Sequence, residues 1–475
     1  MEYFIKNAGL SDIRMHAANE RGQLPINYVD TTGYHLYIGF SLKKQISASE
    51  DHTAGKKYIT FLNRLVAVSQ GLQAQHGAVL LEVQSDKIHF LFPGSTERSG
   101  SVLEFCRGVQ ASVDAFPLYM NENLNSMRYA ATHGRSILIS TGMNPDDSTV
   151  SLGPAANDPA KKLLDVESGH LYYRVNPDGA KWQKENLRSV TRIANKEGAL
   201  LESLAANEQE PLDFEIRSAL ELPSASVDNP YVMQGFYFRS DLDGFTARVK
   251  ESFKDESGKM VERLVSDFVE IMHYAESYLH MGSRLYKVAK LPWSGDCANL
   301  LIKAEESYSL SRKTVPPISS RDWFELRDKQ NDRSGYLWKS YMGEAGWLVS
   351  IAGGGPNTEQ GGNGALLIAD IQTTERPFRI AAGWGAERSL NAQAAKRVLT
   401  NDTVLQYTDY LALDKYYKRQ FSVCSENSSY YRAKYPIISY KVPPHAKAIP
   451  TSITTSNVYT PRPASSYDTT KKKTF

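Results

Sequence analysis

The chain repeats one order of elements, strand–helix–hairpin–helix–strand, twice along its 475 residues. Runs rich in aromatic and β-branched residues predict the strands, and apolar residues three or four positions apart predict the helices. The first pass comprises Tyr34–Phe40, Thr60–Gln73, Ala78–Val83 with Ile88–Phe92, Leu103–Phe116, and two strands around Gly134, Met127–Thr132 and Ile137–Ser140. The second comprises Phe236–Ser240, Lys259–Tyr278, Arg284–Ile302, Ser320–Gln330, and Trp347–Ile351 with Ala365–Ile371. An internal repeat of this length predicts two related α+β units rather than one larger domain.

The stretch Gly235–Thr246 combines a predicted strand with an acidic end. Its sequence, GFYFRSDLDGFT, runs from aromatic residues into Asp241-Leu242-Asp243 and breaks at Gly244. Carboxylates that leave a sheet in this way suit a hard divalent cation, and a glycine turn lets backbone N–H groups approach a phosphate. A plain polar turn with no ligand is the alternative, since Asp and Gly are common at strand ends.

A second carboxylate favours the ligand-binding interpretation. Asp296 follows Gly295 in a hairpin turn between the apolar runs Leu285–Val288 and Ala298–Ile302. Two carboxylates on adjacent strand ends could hold two divalent ions, with substrate phosphates as further ligands.

The pattern Phe-x-x-Asp-Leu-Asp-Gly-Phe-Thr, followed by Gly-Asp on a hairpin, resembles the catalytic core of class III nucleotidyl cyclases. The resemblance implies an α+β fold of two ferredoxin-like (βαββαβ) cyclase domains, packed as an intramolecular pseudo-dimer with the active site between them. It implies that Asp241, Asp296 and the carbonyl of Leu242 hold two Mg²⁺ or Mn²⁺ ions. It also implies that the triphosphate is held by the backbone of three residues after this acidic strand end, Gly244, Phe245 and Thr246.

The two halves differ at one of the two positions where this family has a metal-binding carboxylate. Laying Gly235–Thr246 on Gly33–Lys44 sets Asp241 opposite Gly39, so the first half lacks the first metal carboxylate. Gly295-Asp296 falls on Ser85-Asp86, so the second carboxylate is retained.

The family also uses an Asn and, four residues later, an Arg from the other domain. The first half carries Gly153, Asn157 and Lys161 in that register, with Lys in place of Arg. Residues four apart share a helix face, and lysine keeps the charge without the bidentate grip of arginine. Laying 149–161 on 403–415 sets Leu411 opposite Asn157, which predicts one working composite site. A helix N-cap is the alternative role for Asn157.

The resemblance assigns base recognition to Glu82, three residues before the hairpin position Ser85, and to Val150. A carboxylate accepts hydrogen bonds only, which suits the exocyclic amine of cytosine or the N–H edge of guanine better than uracil. A charge on the exposed face of a hairpin is the alternative for Glu82.

Composition gives no case for nucleic acid or membrane as a partner. The formal net charge is +2, charged residues make up 23% and no window approaches 18 uninterrupted apolar residues. Three distant cysteines and the absence of a signal-peptide pattern predict a reducing, cytoplasmic location. The expected state is a monomer with an internal pseudo-dimer, or a homodimer.

The predicted domains are 1–190, a degenerate cyclase homology domain; 191–229, a linker; 230–440, a domain with the metal aspartates; and 441–475, a flexible tail. The expected function is a nucleotidyl cyclase that makes cyclic CMP or cyclic UMP. The whole-chain organisation resembles the pyrimidine cyclases of antiphage Pycsar systems, whose product a separate effector reads. The alternatives are a purine cyclase in second-messenger signalling, a catalytically dead nucleotide-binding sensor, and a scaffold that keeps only the fold.

Overall fold

The structure is a computed structural model, and it describes residues 13–16, 26–40, 53–116, 127–140, 149–176, 181–188, 231–269, 288–303, 348–354, 365–374, 377–383, 403–406, 421–423 and 437–440. The predicted linker 191–229, the tail 441–475 and the predicted helix Ser320–Gln330 lie outside these residues. In the described part, no helix is long and apolar enough to cross a membrane.

The first half forms one mixed sheet with helices packed on it. Its strands are β1 (Ile13–His16), β2 (Ile26–Gly39), β3 (Val79–Val83), β4 (Lys87–Pro93), β5 (Arg128–Ser140), β6 (Thr149–Leu152), β7 (His170–Arg174) and β8 (Gln183–Asn186). Its helices are α1 (Thr53–His76), α2 (Ser99–Asp114) and α3 (Pro154–Lys162), with 3-10 turns at Thr96–Arg98 and Leu163–Asp165. From β2 to β5 the order is βαββαβ, as predicted.

The second half forms a second mixed sheet. Its strands are β9 (Tyr231–Asp243), β10 (Val288–Ser294), β11 (Cys297–Lys303), β12 (Leu348–Gly354), β13 (Ala365–Ile371), β14 (Phe378–Gly383), β15 (Thr403–Gln406), β16 (Phe421–Val423) and β17 (Ile437–Tyr440). Helix α4 spans Phe245–Ser252, and helix α5 is described over 259–269. The predicted mixed α+β class is confirmed.

The two sheets share one strand order. The first runs β3-β4-β2-β5-β7-β8, and the second runs β10-β11-β9-β12-β15-β17 before β16. In both sheets the third-to-fourth pair is antiparallel and the fourth-to-fifth pair is parallel. Asp241 pairs with Cys297 as Gly39 pairs with Lys87, so the predicted overlay of Asp241 on Gly39 and of Asp296 on Asp86 is confirmed.

The predicted overlay of 149–161 on 403–415 is wrong. Strand β15 is parallel to β12, with Thr403 opposite Ile351, and its counterpart is β7, which is parallel to β5. The counterpart of β6 is β14, because each pairs antiparallel with the strand that precedes it in the chain: β6 with β5, and β14 with β13. A short apolar strand looks the same in the sequence whether it pairs in parallel or antiparallel, and the overlay had no pairing information.

With β14 as the counterpart of β6, the two halves still differ at the position of Asn157. In the sequence, Glu387 stands four residues after Gly383, where the first half has Asn157 four residues after Gly153. Residue 387 itself lies outside the described residues.

The two strands predicted on either side of Gly134 are one strand. Strand β5 pairs with β2 without interruption from Arg128 to Ser140, and Gly134 lies opposite Gly33. At Gly33 an added Cβ would meet the carbonyl oxygen of Phe92 at 2.3 Å, so this glycine allows a close approach of β4.

Each half contributes a hairpin to the core of the other. The β13–β14 hairpin supplies Leu367, Ala369, Ile371, Phe378, Ile380 and Ala382 to the cluster built around α1 and α2. The β5–β6 hairpin supplies Ile137, Ile139, Val150 and Leu152 to the cluster that contains the apolar residues of α4 and α5. Burial of apolar surface therefore joins the two halves on both sides.

Candidate functional site

Two carboxylates stand at neighbouring strand ends in the second half. Asp241 lies near the end of β9 and pairs with Cys297 at the start of β11, and Asp296 immediately precedes Cys297. Both aspartates are partly exposed. Gly295 in the hairpin turn has a φ of +63°, which only glycine adopts without strain, so the sequence forces the tight turn that brings the two carboxylates to one edge.

Helix α4 begins directly after this strand end. Gly244 has a φ of +74° and reverses the chain between Asp243 and Phe245. Phe245 and Leu242 are buried at 3% and 4% exposure, so apolar packing fixes the turn from both sides. The first N–H groups of a helix have no partner within that helix, and those of Phe245 and Thr246 belong to this set. Such a helix start favours a phosphate group.

The donor set at this edge fits Mg²⁺ or Mn²⁺. Asp241, Asp296 and the backbone carbonyl of Leu242 are oxygen donors, which hard divalent cations prefer. Among the described residues no three His, Cys, Asp or Glu side chains cluster as a complete metal cage. Two carboxylates with room for phosphates is the pattern typical of Mg²⁺ in phosphoryl-transfer sites.

Helix α3 in the first half carries Asn157 and Lys161. It starts at Gly153, where an added Cβ would lie 2.8 Å from the carbonyl oxygen of Arg135, so α3 lies tightly against β5. The backbone N–H of Asn157 donates to the carbonyl of Gly153 at 3.0 Å, which puts Asn157 inside the first turn and makes the N-cap alternative wrong. Within the described residues, Nδ2 of Asn157 is buried and has no hydrogen-bond partner. Lys161 is exposed in the last turn.

The structure brings α3 and α4 together across the two halves. Asp158, which follows Asn157, accepts from Nζ of Lys250 in α4 at 2.9 Å. Val150 and Leu152 at the end of β6 share an apolar cluster with Phe245 in α4. The helix of Asn157 therefore packs against the helix that begins after Asp241.

Glu82 lines a pocket between the halves. The pocket has about 310 Å³ of empty space, part of it open to solvent. First-half residues on its wall come from the end of β3 and from the β3–β4 turn, and second-half residues come from β9, β10, β11 and β14. The lining comprises Glu82, Val83, Gln84, Ser85, Tyr237, Arg239, Leu291, Asn299, Arg379, Ile380 and Ala381. The alternative of an exposed hairpin charge for Glu82 is wrong, because Glu82 is only 7% exposed.

The electrostatics of this pocket are set by burial. Desolvation raises the pKa of the Glu82 carboxyl to about 7, although Lys87, the hydrogen bond from Gln84 and Arg239 oppose the rise. Burial alone would lower the pKa of Arg239, but the nearby Tyr237, Cys297, Asp86 and Asp241 raise it overall. The pocket thus holds a permanent cation and a carboxyl that titrates near neutrality.

Val150 lies elsewhere. It is 1% exposed within the apolar cluster shared by β6, α4 and α5, and it does not line the pocket of Glu82. The structure therefore does not bring the two predicted base-recognition residues to one pocket wall, and their shared role stays a prediction.

Four polar residues at these sites were not singled out from the sequence. Arg239 and Asn299 line the pocket, and Asp158 with Lys250 joins α3 to α4. Strand alternation places Arg239 on the same face as Asp241, two residues on, and could have found it. No local signal could have found the Asp158–Lys250 pair, because its members are 92 positions apart.

Comparisons with known proteins rest on structure alone, since no protein-family model and no curated protein matches the chain. The fold is similar to a class III adenylyl cyclase-like ATP-binding protein from Pseudomonas aeruginosa, with a TM-score of 0.63 and 16% identity. That match covers 83% of this chain and 87% of the other.

Other cyclase structures give shorter matches. The adenylyl cyclase CyaB from P. aeruginosa matches 31% of this chain and 78% of its own, at 10% identity and a TM-score of 0.27. The guanylate cyclase domain of RhGC from Catenaria anguillulae, solved with GTP, matches 30% and 79%, at 14% identity and a TM-score of 0.26. The fold assignment rests on the near full-length match: this chain has a class III adenylyl cyclase-like fold.

Proposed function

We propose that the protein is a nucleotidyl cyclase, which converts a nucleoside triphosphate to a 3′,5′-cyclic monophosphate and pyrophosphate at one composite site. One observation carries the proposal. Helix α3, which bears Asn157, packs through the Asp158–Lys250 ion pair against α4, the helix that begins directly after the Asp241 strand end. This ion pair supports a composite site, because it joins the helix of Asn157 to the helix that follows Asp241.

The proposal includes two tandem cyclase domains arranged as a pseudo-dimer. The equal strand order of the two sheets supports it, as does the exchange of hairpins between the two cores. The boundaries 1–190 and 230–440 are part of the same proposal.

The residues take the following roles. Asp241, Asp296 and the Leu242 carbonyl hold the divalent ions, which supply Lewis acidity that lowers the pKa of the attacking 3′-hydroxyl and offset the triphosphate charge. The N–H groups at Gly244, Phe245 and Thr246 bind phosphate oxygens. Asn157 orients the ribose through Nδ2, the buried donor that otherwise lacks an acceptor. Lys161 opposes charge that develops on the α-phosphoryl oxygens.

Within this proposal the base is a pyrimidine, and the product is an antiphage signal read by a separate effector. Support comes from Glu82 and Val150, which replace the Lys and Asp typical of adenine readers in the resembling family. A Glu82 carboxyl with a pKa of about 7 donates when protonated and accepts when ionised, so it suits either cytosine or uracil. A purine cyclase is the alternative within the same fold.

A nucleotide-binding protein without turnover is the second candidate. The near full-length structural match is described as cyclase-like and ATP-binding, and Lys161 replaces the arginine of the resembling pattern. This candidate predicts nucleotide binding that depends on Asp241 and produces no cyclic product.

A turnover assay distinguishes these candidates. Purified protein is incubated with ATP, GTP, CTP or UTP in Mg²⁺ or Mn²⁺, and the products are separated by mass. We expect a cyclic monophosphate from CTP or UTP, and we expect Asn157→Ala to lower kcat by about 10² to 10³-fold. Product from a purine nucleotide supports the purine alternative. Nucleotide binding without product from any of the four supports the second candidate.

A further inference from the structure

A three-residue ion-pair network crosses between the halves next to Asn157. Asp158 is 8% exposed and accepts from Arg174 of β7 on one carboxylate oxygen and from Lys250 of α4 on the other. Arg174 and Asp158 belong to the first half, and Lys250 belongs to the second. One buried carboxylate therefore connects β7 and α3 to the helix that follows Asp241.

Arg174 also packs against the ring of Trp182. Its guanidinium carbon lies 4.6 Å from the centroid of the Trp182 ring, a cation–π distance, and its side chain is 12% exposed. The Arg174–Asp158 pair is thus a fixed part of the first half. Lys250 is the exposed member, with 44% of its side chain accessible.

Apolar contacts to α4 come from the strand that precedes α3. Val150 and Leu152 of β6 share a cluster with Phe245 and Val249 of α4. Apolar burial is non-directional, so this cluster holds β6 close to α4 without fixing how α3 is rotated or shifted along α4. A charge-assisted hydrogen bond is short and directional, and it fixes the relative position of the two backbones.

We propose that Asp158 and Lys250 are positioning residues, whose ion pair sets the register of the Asn157 helix against the phosphate-binding start of α4. The inference rests on the proposed function, because it concerns the geometry of the same composite site. Asp158 and Lys250 act through Asn157 and through the N–H groups at Phe245, and neither contacts the nucleotide. Because Lys250 is nearly half exposed, its pair adds little to stability and acts mainly on geometry.

The test compares Lys250→Met with Lys254→Met. Methionine keeps the apolar stem and removes the charge, and Lys254 is an exposed lysine just after α4. We expect Lys250→Met to lower kcat about 10- to 100-fold, as misplacement of reacting groups by about 1 Å does, with KM changed less than about threefold. Lys250→Arg should restore most of the lost kcat, and Lys254→Met should match the wild type. High salt should lower kcat at saturating nucleotide in the wild type and leave Lys250→Met unchanged, since salt screens the pair from the side of its half-exposed lysine.

Hydrogen exchange provides a readout that needs no turnover. Without nucleotide, amides of 154–162 should exchange faster in Lys250→Met than in the wild type, while those of α1 should not change. Equal kcat and equal exchange in 154–162 for Lys250→Met and the wild type would overturn the inference and leave the proposed function intact. A wild type without product would overturn the proposed function, and the exchange comparison would still decide whether the ion pair holds α3.

Discussion

The ends of β2 and β9 occupy equivalent places in their sheets, yet only β9 ends in carboxylates. At the end of β9, Asp241 stands beside the β10–β11 turn, where no described residue lies within 4 Å of a Cβ added to Gly295. At the end of β2 the residue is Gly39, and Leu163 would lie 3.0 Å from an added Cβ. The first half has thus lost the carboxylate and filled its space with a leucine from the turn after α3.

This difference shows how two halves with the same strand order can differ in the residues at equivalent positions. Leu163 belongs to the turn that ends α3, the helix that carries Asn157. The same segment packs against the strand end of its own half and carries the helix that contacts α4 of the other half. Under the proposed function, the first half gains packing where a second metal position would stand.

The largest expected effect is a difference in kcat between a variant at the end of β9 and a variant beside the end of β2. Asp241→Ala should lower kcat by about 10³-fold or more, because under the proposed function it removes a carboxylate that holds both ions, a larger loss than one electrostatic donor. Asp86→Asn, the isosteric change at the counterpart of Asp296, should leave kcat within about twofold. Steady-state kinetics on the nucleotide that the wild type turns over checks both. Equal losses in the two variants would contradict the proposed difference between the two strand ends.

The sequence predicted this asymmetry because it lies in local patterns. Asp241, Gly244 and Asp296 sit in short motifs whose turn chemistry depends on residues next to them in the chain. The order of strands and helices along the first half followed equally from periodicity and turns, because each element from β2 to β5 has its own apolar pattern in the sequence.

Local sequence patterns could not predict the contacts that join the halves. Glu82 looked like an exposed hairpin charge because burial there comes from Tyr237, Arg239 and Arg379, all more than 150 positions away. The overlay of 403–415 failed for a related reason. Pairing direction is set by the whole sheet, and a four-residue strand such as β15 carries no mark of it.

A second prediction compares the two exchanged hairpins. Ile380 of β14 packs in the cluster around α1, and Val150 of β6 packs in the cluster with α4 and α5. Ile380→Ala should lower the free energy of unfolding by about 3 kcal/mol and Val150→Ala by about 2 kcal/mol, through lost burial and the cavity left behind.

Urea titrations followed by fluorescence and by circular dichroism measure these losses. Each variant should unfold in one transition that coincides between the two probes, because each half's core includes a hairpin from the other. Two separate transitions, with each substitution shifting only one of them, would show that the halves fold independently.

A third comparison concerns a pH dependence confined to the first half. The pKa of Glu82 rises from 4.5 to about 7 on folding, so its contribution to stability is fully present below pH 4.5 and is lost as the pH rises through about 7. Glu82→Gln cannot ionise, and it should gain up to about 3 kcal/mol relative to the wild type across this window. The second half has Pro292 three residues before Gly295 and no titrating group at that place.

Urea unfolding of the wild type and of Glu82→Gln at pH values from 4.5 to 8 measures this difference. Glu104→Gln on the exposed side of α2 is the matched control, and its curve should run parallel to the wild type across the range. A flat difference between Glu82→Gln and the wild type would mean that Glu82 stays ionised through an opposing cation. Lys87 opposes the rise in the pKa of Glu82 more strongly than Arg239 does, so Glu82 and Lys87 would then form a fixed ion pair instead of a proton-dependent one.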